Sequence, residues 1–158
     1  MWIEGRRNKM RAVVQRVTSS SVSVDGEIIG KINEGVNVLI GISKDDTLED
    51  LKYIKDKIIN LRIFHDENDK MNLSLLDIQG EILAISQFTL YGDCRKGRRP
   101  NFMDAKGGNE AKELYDEFIK MIKTSNLKVE TGEFGAHMKV EINNDGPVTI
   151  LLDSKRNF

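Results

Sequence analysis

"GVNVLIGISKDDTLEDLKYIKDKIINL", residues 35–61, changes its hydrophobic period halfway along, and that change sets the fold class. Gly35 to Ile42 is a nearly continuous apolar run, the pattern of a strand covered on both faces. From Leu48 the apolar residues fall at three- and four-residue steps: Leu48, Leu51, Ile54, Ile58, Leu61. That spacing is one face of a helix. Asp46 or Thr47 can cap it, and Glu49 and Asp50 suit its positive end.

On the N-terminal side, "RAVVQRV" (residues 11–17) is a strand by its β-branched content. "SVSVDGEIIGKI" alternates on both sides of Asp25-Gly26 and predicts a hairpin, because a type I′ turn needs positive φ at both central residues. On the C-terminal side, "LRIF" can continue into a strand and "DENDKMN" is a polar loop. "GEILAISQFTL" (residues 80–90) is a strand entered through a turn at Gln79-Gly80. A second helix is expected over Asn109–Lys123, with Ala111, Leu114, Tyr115, Phe118 and Ile122 on its apolar face. "KVETGEF", "HMKVEIN" and "VTILLD" read as three closing strands. The class is therefore α/β: mixed β-sheets forming a partial barrel, with two helices packed on them.

The chain's 158 residues suit one domain with a proper core. Residues 1–9, "MWIEGRRNK", contain a protease-site-like "IEGR" and are expected to be an added extension, leaving 10–158 as the domain. No apolar run is long enough to span a bilayer. A single cysteine, Cys94, excludes an internal disulfide and fits a reducing cytoplasm. The net charge of −1 means that a polyanion must be held by a local patch.

Catalytic side chains are scarce. His65 and His137 lie in no metal-ligand spacing, and one cysteine cannot build a zinc site. Cys94 stands near cations that could activate it, so a Cys94/His pair is one reading and an inert loop thiol another. His137 suits a surface or rim position. Ser86, Gln87 and Thr89 put polar groups into an apolar strand. They either satisfy neighbouring backbone or face a pocket in which hydroxyls and backbone N–H groups stabilise an oxyanion. Alternation places Ser86 with Phe88 and Gln87 with Thr89. Arg95, Lys96, Arg98 and Arg99 then form a basic loop ending at Phe102. It is either a solvated charge run or a phosphate grip beside an aromatic that stacks on a base. In "NNDGPVTI" (residues 143–150) a Gly-Pro pair precedes a strand, as an ordinary turn or as a cis pair with fixed carbonyls.

Together, "SQFTL" (residues 86–90) and "NDGPVT" (residues 144–149) resemble the signature pair of the D-aminoacyl-tRNA deacylases. "MRAVVQRV", "GDCRKGRRPNF" and "GEFGAHM" extend the likeness from Met10 to about Asp153. The resemblance implies a deacylase-like fold and hydrolysis of the ester between a D-amino acid and the terminal adenosine of tRNA. It implies a cytoplasmic homodimer with active sites at the interface, and no cofactor or metal. Gly146-Pro147 would be a cis pair inserted into the partner's pocket, its carbonyls holding the substrate ammonium, with Arg16 as its brace. A D side chain then points outward and an L side chain clashes, which excludes by repulsion and leaves glycine accepted. Backbone around Phe88 and Thr89 would hold the carbonyl oxygen, with the ribose 2′-hydroxyl helping to activate water. Ser86 and Gln87 would line the pocket, and Thr89 would position rather than attack. Phe134, Gly135, Ala136 and Met138 match the segment around the adenine, and the loop cations would follow the tRNA backbone. Three rivals remain: an editing domain of the same fold acting on L-amino acids, a non-catalytic nucleic-acid-binding module, and a Cys94 hydrolase.

Overall fold

The computed structural model of the protein describes residues 9–158. The expected extension lies outside the described residues except for Lys9, whose carbonyl accepts from the Tyr91 hydroxyl at 2.6 Å. Eight strands and three helices follow in order: β1 (Arg11–Val24), β2 (Glu27–Ile32), β3 (Gly35–Gly41), α1 (Leu48–Asn60), β4 (Phe64–His65), β5 (Met71–Leu73), α2 (Leu75–Ile78), β6 (Glu81–Ser86), α3 (Gly108–Lys123), β7 (Val129–Thr131) and β8 (Lys139–Asp153). A 3-10 turn over Phe88–Tyr91 follows β6.

The main sheet runs β2-β1-β3-β6-β7, and β8 lies along the other edge of β1. β3–β6 and β6–β7 are parallel, and the other pairs are antiparallel. β1 shares one edge between two partners, giving Arg11–Val17 to β3 and Ser20–Val24 to β2. The sheet therefore curls until β2 meets β7. A Cβ on Gly30 would stand 2.9 Å from the Thr131 carbonyl oxygen. The result is a nearly closed barrel with helices on its outside.

Two apolar clusters follow from the curl. Outside, Val14, Val38, Ile40 and Ile82 pack under Leu51, Ile54 and Ile58 of α1 and Phe118 and Ile122 of α3. Inside, Val17, Val22, Ile32, Leu83 and Ile85 pack together, with Met138 and Val140 against them. β3 has no exposed residue, as its unbroken apolar run predicts. Each fully buried Leu or Ile contributes roughly 1.5–3 kcal/mol, so the two clusters fix the sheet's curvature.

The hairpin turn has Asp25 at φ 50° and Gly26 at φ 81°, with Val24 paired to Glu27. Thr47 rather than Asp46 caps α1, its N–H donating to the Asp50 carboxylate at 2.8 Å. Four details depart from the expected pattern. The first expected strand and the first arm of the hairpin are one strand, β1. β6 stops at Ser86 instead of Leu90: β3 ends beside it, the Gln87 N–H takes the Ile40 carbonyl at 2.7 Å, and the chain coils into the 3-10 turn. The predicted Ser86/Phe88 and Gln87/Thr89 alternation is lost with it. β7 ends at Thr131, because Gly135 at φ 81° and an Ala136 N–H to Glu133 carbonyl bond turn the chain away. "HMKVEIN" and "VTILLD" are parts of the single strand β8, which bulges at Asp145–Val148. The polar loop joins β4 to β5, and the one-turn helix α2 follows, which Ser74 caps by accepting from Asp77 N–H at 3.2 Å.

Candidate active site

Where β6 ends, three segments enclose a cavity of about 500 Å³. The first is Ser86–Thr89. The second is Phe102 with Ala105–Gly108, which leads into α3. The third is Phe134, Gly135, Ala136 and Met138. Sequences far apart thus meet at the C-terminal end of a parallel strand, where an open α/β sheet places its ligands. Every residue expected to form the pocket floor and the adenine wall is in the lining.

Each wall is held separately. Phe88 and Thr89 open the 3-10 turn, so the turn supplies no carbonyl to their N–H groups. The Gln87 side-chain amide donates to Thr89 Oγ1 at 3.1 Å, which orients the hydroxyl. Arg11 Nη1 donates to the Leu90 carbonyl at 3.1 Å, and its guanidinium lies 5.5 Å from the Tyr91 ring centre. Burial pushes the Tyr91 phenol well above the usual range. Its single proton is shared between the carbonyls of Lys9 and Gly41, at 2.6 and 2.9 Å. Phe134 leans on Tyr115 at 5.8 Å between ring centres. The Tyr115 hydroxyl donates to the Ala84 carbonyl of β6 at 2.9 Å.

The middle wall hangs from the end of β3. Ser43 pairs with Ala105, Lys44 N–H donates to the Asp104 carbonyl, and Lys106 N–H donates to the Ile42 carbonyl at 2.9 Å. Buried Asp46 secures Ser43 by accepting from its N–H at 2.7 Å and its hydroxyl at 3.0 Å. Burial raises the Asp46 carboxyl to about 6 despite those bonds. The sequence reading missed Ala105, Lys106, Gly107 and Gly108. The Gly-Gly pair ahead of a helix was the one signal, since it marks bare backbone.

The remaining expected residues lie elsewhere. Asp93 and Asn101 exchange backbone bonds of 2.8 and 3.0 Å and pinch off the basic loop. Its cations are exposed and outside the cavity lining. Arg95 folds back on Asp93, with Nη2–Oδ2 at 2.7 Å and Nε–Oδ1 at 3.0 Å. Hydrogen bonds from Arg95 lower the Asp93 carboxyl to about 2. Lys96, Arg98 and Arg99 make no such pair among the described residues. Phe102 links loop and pocket, edge-on to Phe88 at 5.1 Å.

The Gly146-Pro147 peptide is cis and exposed. It sits in the β8 bulge opposite Arg16, whose Nε donates to the Asp145 carbonyl at 3.0 Å and Nη1 to the Ile63 carbonyl at 2.6 Å. β1 and β3 lie between β8 and β6, so the dipeptide is roughly 14 Å across the sheet from its own chain's pocket strand. Neither Cys94, which is exposed, nor either histidine lines the cavity.

Residues 13–153 match the family model described as D-Tyr-tRNA(Tyr) deacylase. A Clostridium beijerinckii protein named D-aminoacyl-tRNA deacylase is 85% identical over 149 residues, covering 94% of this chain and 100% of that one. A Clostridium botulinum protein of the same name is 80% identical over the same coverage. Among solved structures, the c-Myc DNA Unwinding Element Binding Protein superposes with a TM-score of 0.85 at 46% identity, covering 90% of this chain and 97% of that one. A structure described as a "probable eukaryotic D-amino acid tRNA deacylase" reaches 0.79 at 20% identity, covering 91% and 98%, and shows the shared fold. With the family model spanning the curled sheet, the pocket and the β8 bulge alike, this chain belongs to the D-Tyr-tRNA(Tyr) deacylase family.

Proposed function

We propose that this protein hydrolyses the ester joining a D-amino acid, or glycine, to the 3′-terminal adenosine of tRNA, and so clears mischarged tRNA in the cytoplasm. The observation that carries this reading is the 3-10 turn at the pocket floor. Two successive N–H groups, of Phe88 and Thr89, stand at its start on a cavity that, among the described residues, contains no histidine, cysteine or carboxylate. Such a site works by positioning and by stabilising charge on the carbonyl oxygen. Water adds to the ester carbonyl, the bond to the ribose 3′ oxygen breaks, and the proton passes to that oxygen with the 2′-hydroxyl as relay. Phe134 and Met138 form the apolar seat for the base. Thr89, tied to Gln87, positions.

The active form is a homodimer, and Gly146-Pro147 of each subunit closes the other's pocket. Three features support this. The dipeptide is exposed and far from its own pocket strand. Arg16 braces it from behind. The outer edge of β8 has no strand beside it among the described residues, and Leu151 and Phe158 nearby are 53% and 56% exposed. The exposed loop with Lys96, Arg98 and Arg99 follows the tRNA phosphates. Among the described residues no helix is long and apolar enough to cross a membrane.

The test is hydrolysis of matched D-tyrosyl-, L-tyrosyl- and glycyl-tRNA, with Gly146→Ala alongside. Release of D-tyrosine and glycine but not L-tyrosine is expected, and the substitution should slow it roughly 10- to 100-fold. Gly146 has φ 124°, and an added Cβ would stand 3.0 Å from Arg16 Nη2. Release of both tyrosine enantiomers would favour the L-editing reading. Binding of tRNA without any release would favour a nucleic-acid-binding module.

A further inference from the structure

Lys106 is the one charged side chain among the described residues in the lining of the cavity. Its root is fixed by the bond from its N–H to the Ile42 carbonyl. The side chain is only 16% exposed, yet the ammonium has no close acceptor among the described residues. Glu110 is its ion-pair partner at 3.7 Å and is itself 82% exposed, so water screens the pair. A cation withdrawn this far from solvent is poorly compensated by the protein alone.

Its surroundings favour an anion. No carboxylate among the described residues lines the cavity. The next two residues are Gly107 and Gly108, and a Cβ at either would meet nothing within 4 Å, so this wall is bare and open to a ligand. Gly107 caps the sixteen-residue helix α3 without a side-chain acceptor, so the helix's positive end adds to the ammonium. The rest of the wall is apolar, with Phe88, Phe102 and Phe134. A fitting ligand is flat and apolar over most of its area and carries a negative charge at one side.

An aminoacylated nucleoside alone does not meet that description, because its only charge is the amino acid's ammonium, which Lys106 repels. The same nucleoside with its 5′-phosphodiester does. We propose that Lys106 binds the phosphodiester on the 5′ side of the terminal nucleotide, so that the enzyme distinguishes the end of a polynucleotide chain from a free aminoacyl nucleoside. This assignment rests on the reading that the cavity holds the aminoacylated 3′ end. It is separate from the basic loop, whose cations lie outside the cavity and meet phosphates further along the strand.

The experiment compares two small esters: D-tyrosine on the 3′-oxygen of adenosine, and on that of adenosine 5′-methylphosphate. Neither reaches the basic loop's phosphates. Wild-type enzyme should prefer the phosphate ester about tenfold in kcat/KM, through KM. Lys106→Ala should bring that ratio to about one, Lys106→Arg should keep most of it, and Glu110→Gln should raise it. On D-tyrosyl-tRNA, Lys106→Ala should reduce the slope of log(kcat/KM) against log salt by about 0.7, the effect of one phosphate on a single strand. A wild-type ratio near one overturns the assignment, as does a preference that survives in Lys106→Ala. If the wild type cleaves tRNA esters but neither small ester, the phosphate beside the base is not sufficient for recognition and the assignment falls while the activity stands. Cleavage of no ester at all removes the reading of the cavity as well.

Discussion

At the residue scale the pocket sets a tethered hydroxyl beside a buried carboxylate that anchors its wall. Thr89 Oγ1 accepts from the Gln87 amide, and among the described residues no histidine or carboxylate lines the cavity to take its proton. Thr89→Ala should therefore lower kcat by less than about a hundredfold, whereas a covalent nucleophile would lose far more. Single-turnover hydrolysis of D-tyrosyl-tRNA measures the difference. Asp46 gives a pH prediction. Its carboxyl is raised to about 6 from an ordinary value of 3.8. Between pH 4 and 6 the folded state holds the proton more tightly than the unfolded chain does. Stability from this group is thus fully present below pH 4 and is lost as pH rises through 6. Relative to wild type, Asp46→Asn should gain roughly 2–3 kcal/mol between pH 4 and pH 7 in chemical denaturation, the size of a two-unit shift. Neither role is visible in the residue types alone. Ser86, Gln87, Thr89 and Phe134, which line the cavity, were legible as candidates because their types and motifs are distinctive. Lys106 was not, because only folding places that lysine in a pocket and its neighbours on the surface.

At the element scale the working part is the 3-10 turn, and Arg11 is its clamp. The guanidinium joins the Leu90 carbonyl, the Tyr91 ring and the fully buried carboxylate of Asp153, 3.6 Å from Nε. Arg11→Ala should destabilise the fold by about 2–3 kcal/mol. Measured well below the melting transition, it should lower kcat for D-tyrosyl-tRNA more than it raises KM on the proposed mechanism, since the N–H groups of Phe88 and Thr89 drift while Phe134 and Met138 stay. Tyr115→Phe removes the tether from α3 to β6 and should act in the opposite way, raising KM with little change in kcat. The positions of α1 and α3 were readable from period, as was the hairpin from Asp25-Gly26, whereas the single turn of α2 is too short to show one. The end of β6 was not, because apolar content continues through Leu90 while its partner β3 stops. Strand length there is set by the neighbour, which is a tertiary fact.

At the scale of the whole molecule, the separation of Gly146-Pro147 from its own pocket predicts complementation. A Gly146→Ala chain keeps a sound pocket, and a chain with Phe88→Ala and Thr89→Ala keeps a sound dipeptide. Unfolded together and refolded in equal amounts, they should recover about a quarter of wild-type activity, since in the proposed dimer half the pairs are mixed, with one intact site in each. Sedimentation checks the dimer, and recovery near zero would mean that each chain completes its own site. The partial barrel was legible as a class from the order of elements. Its closure was not, because β1's division between β2 and β3 is written in no local pattern. One pairing has a further consequence for synthesis. β1 lies against β8, with Arg11 opposite Asp153, so β1 leaves the ribosome long before the partner for this edge. Until then its β8-facing edge is an open template for other chains, and alternatives that cover it temporarily, such as a chaperone, matter more here than in a protein built from local pairs.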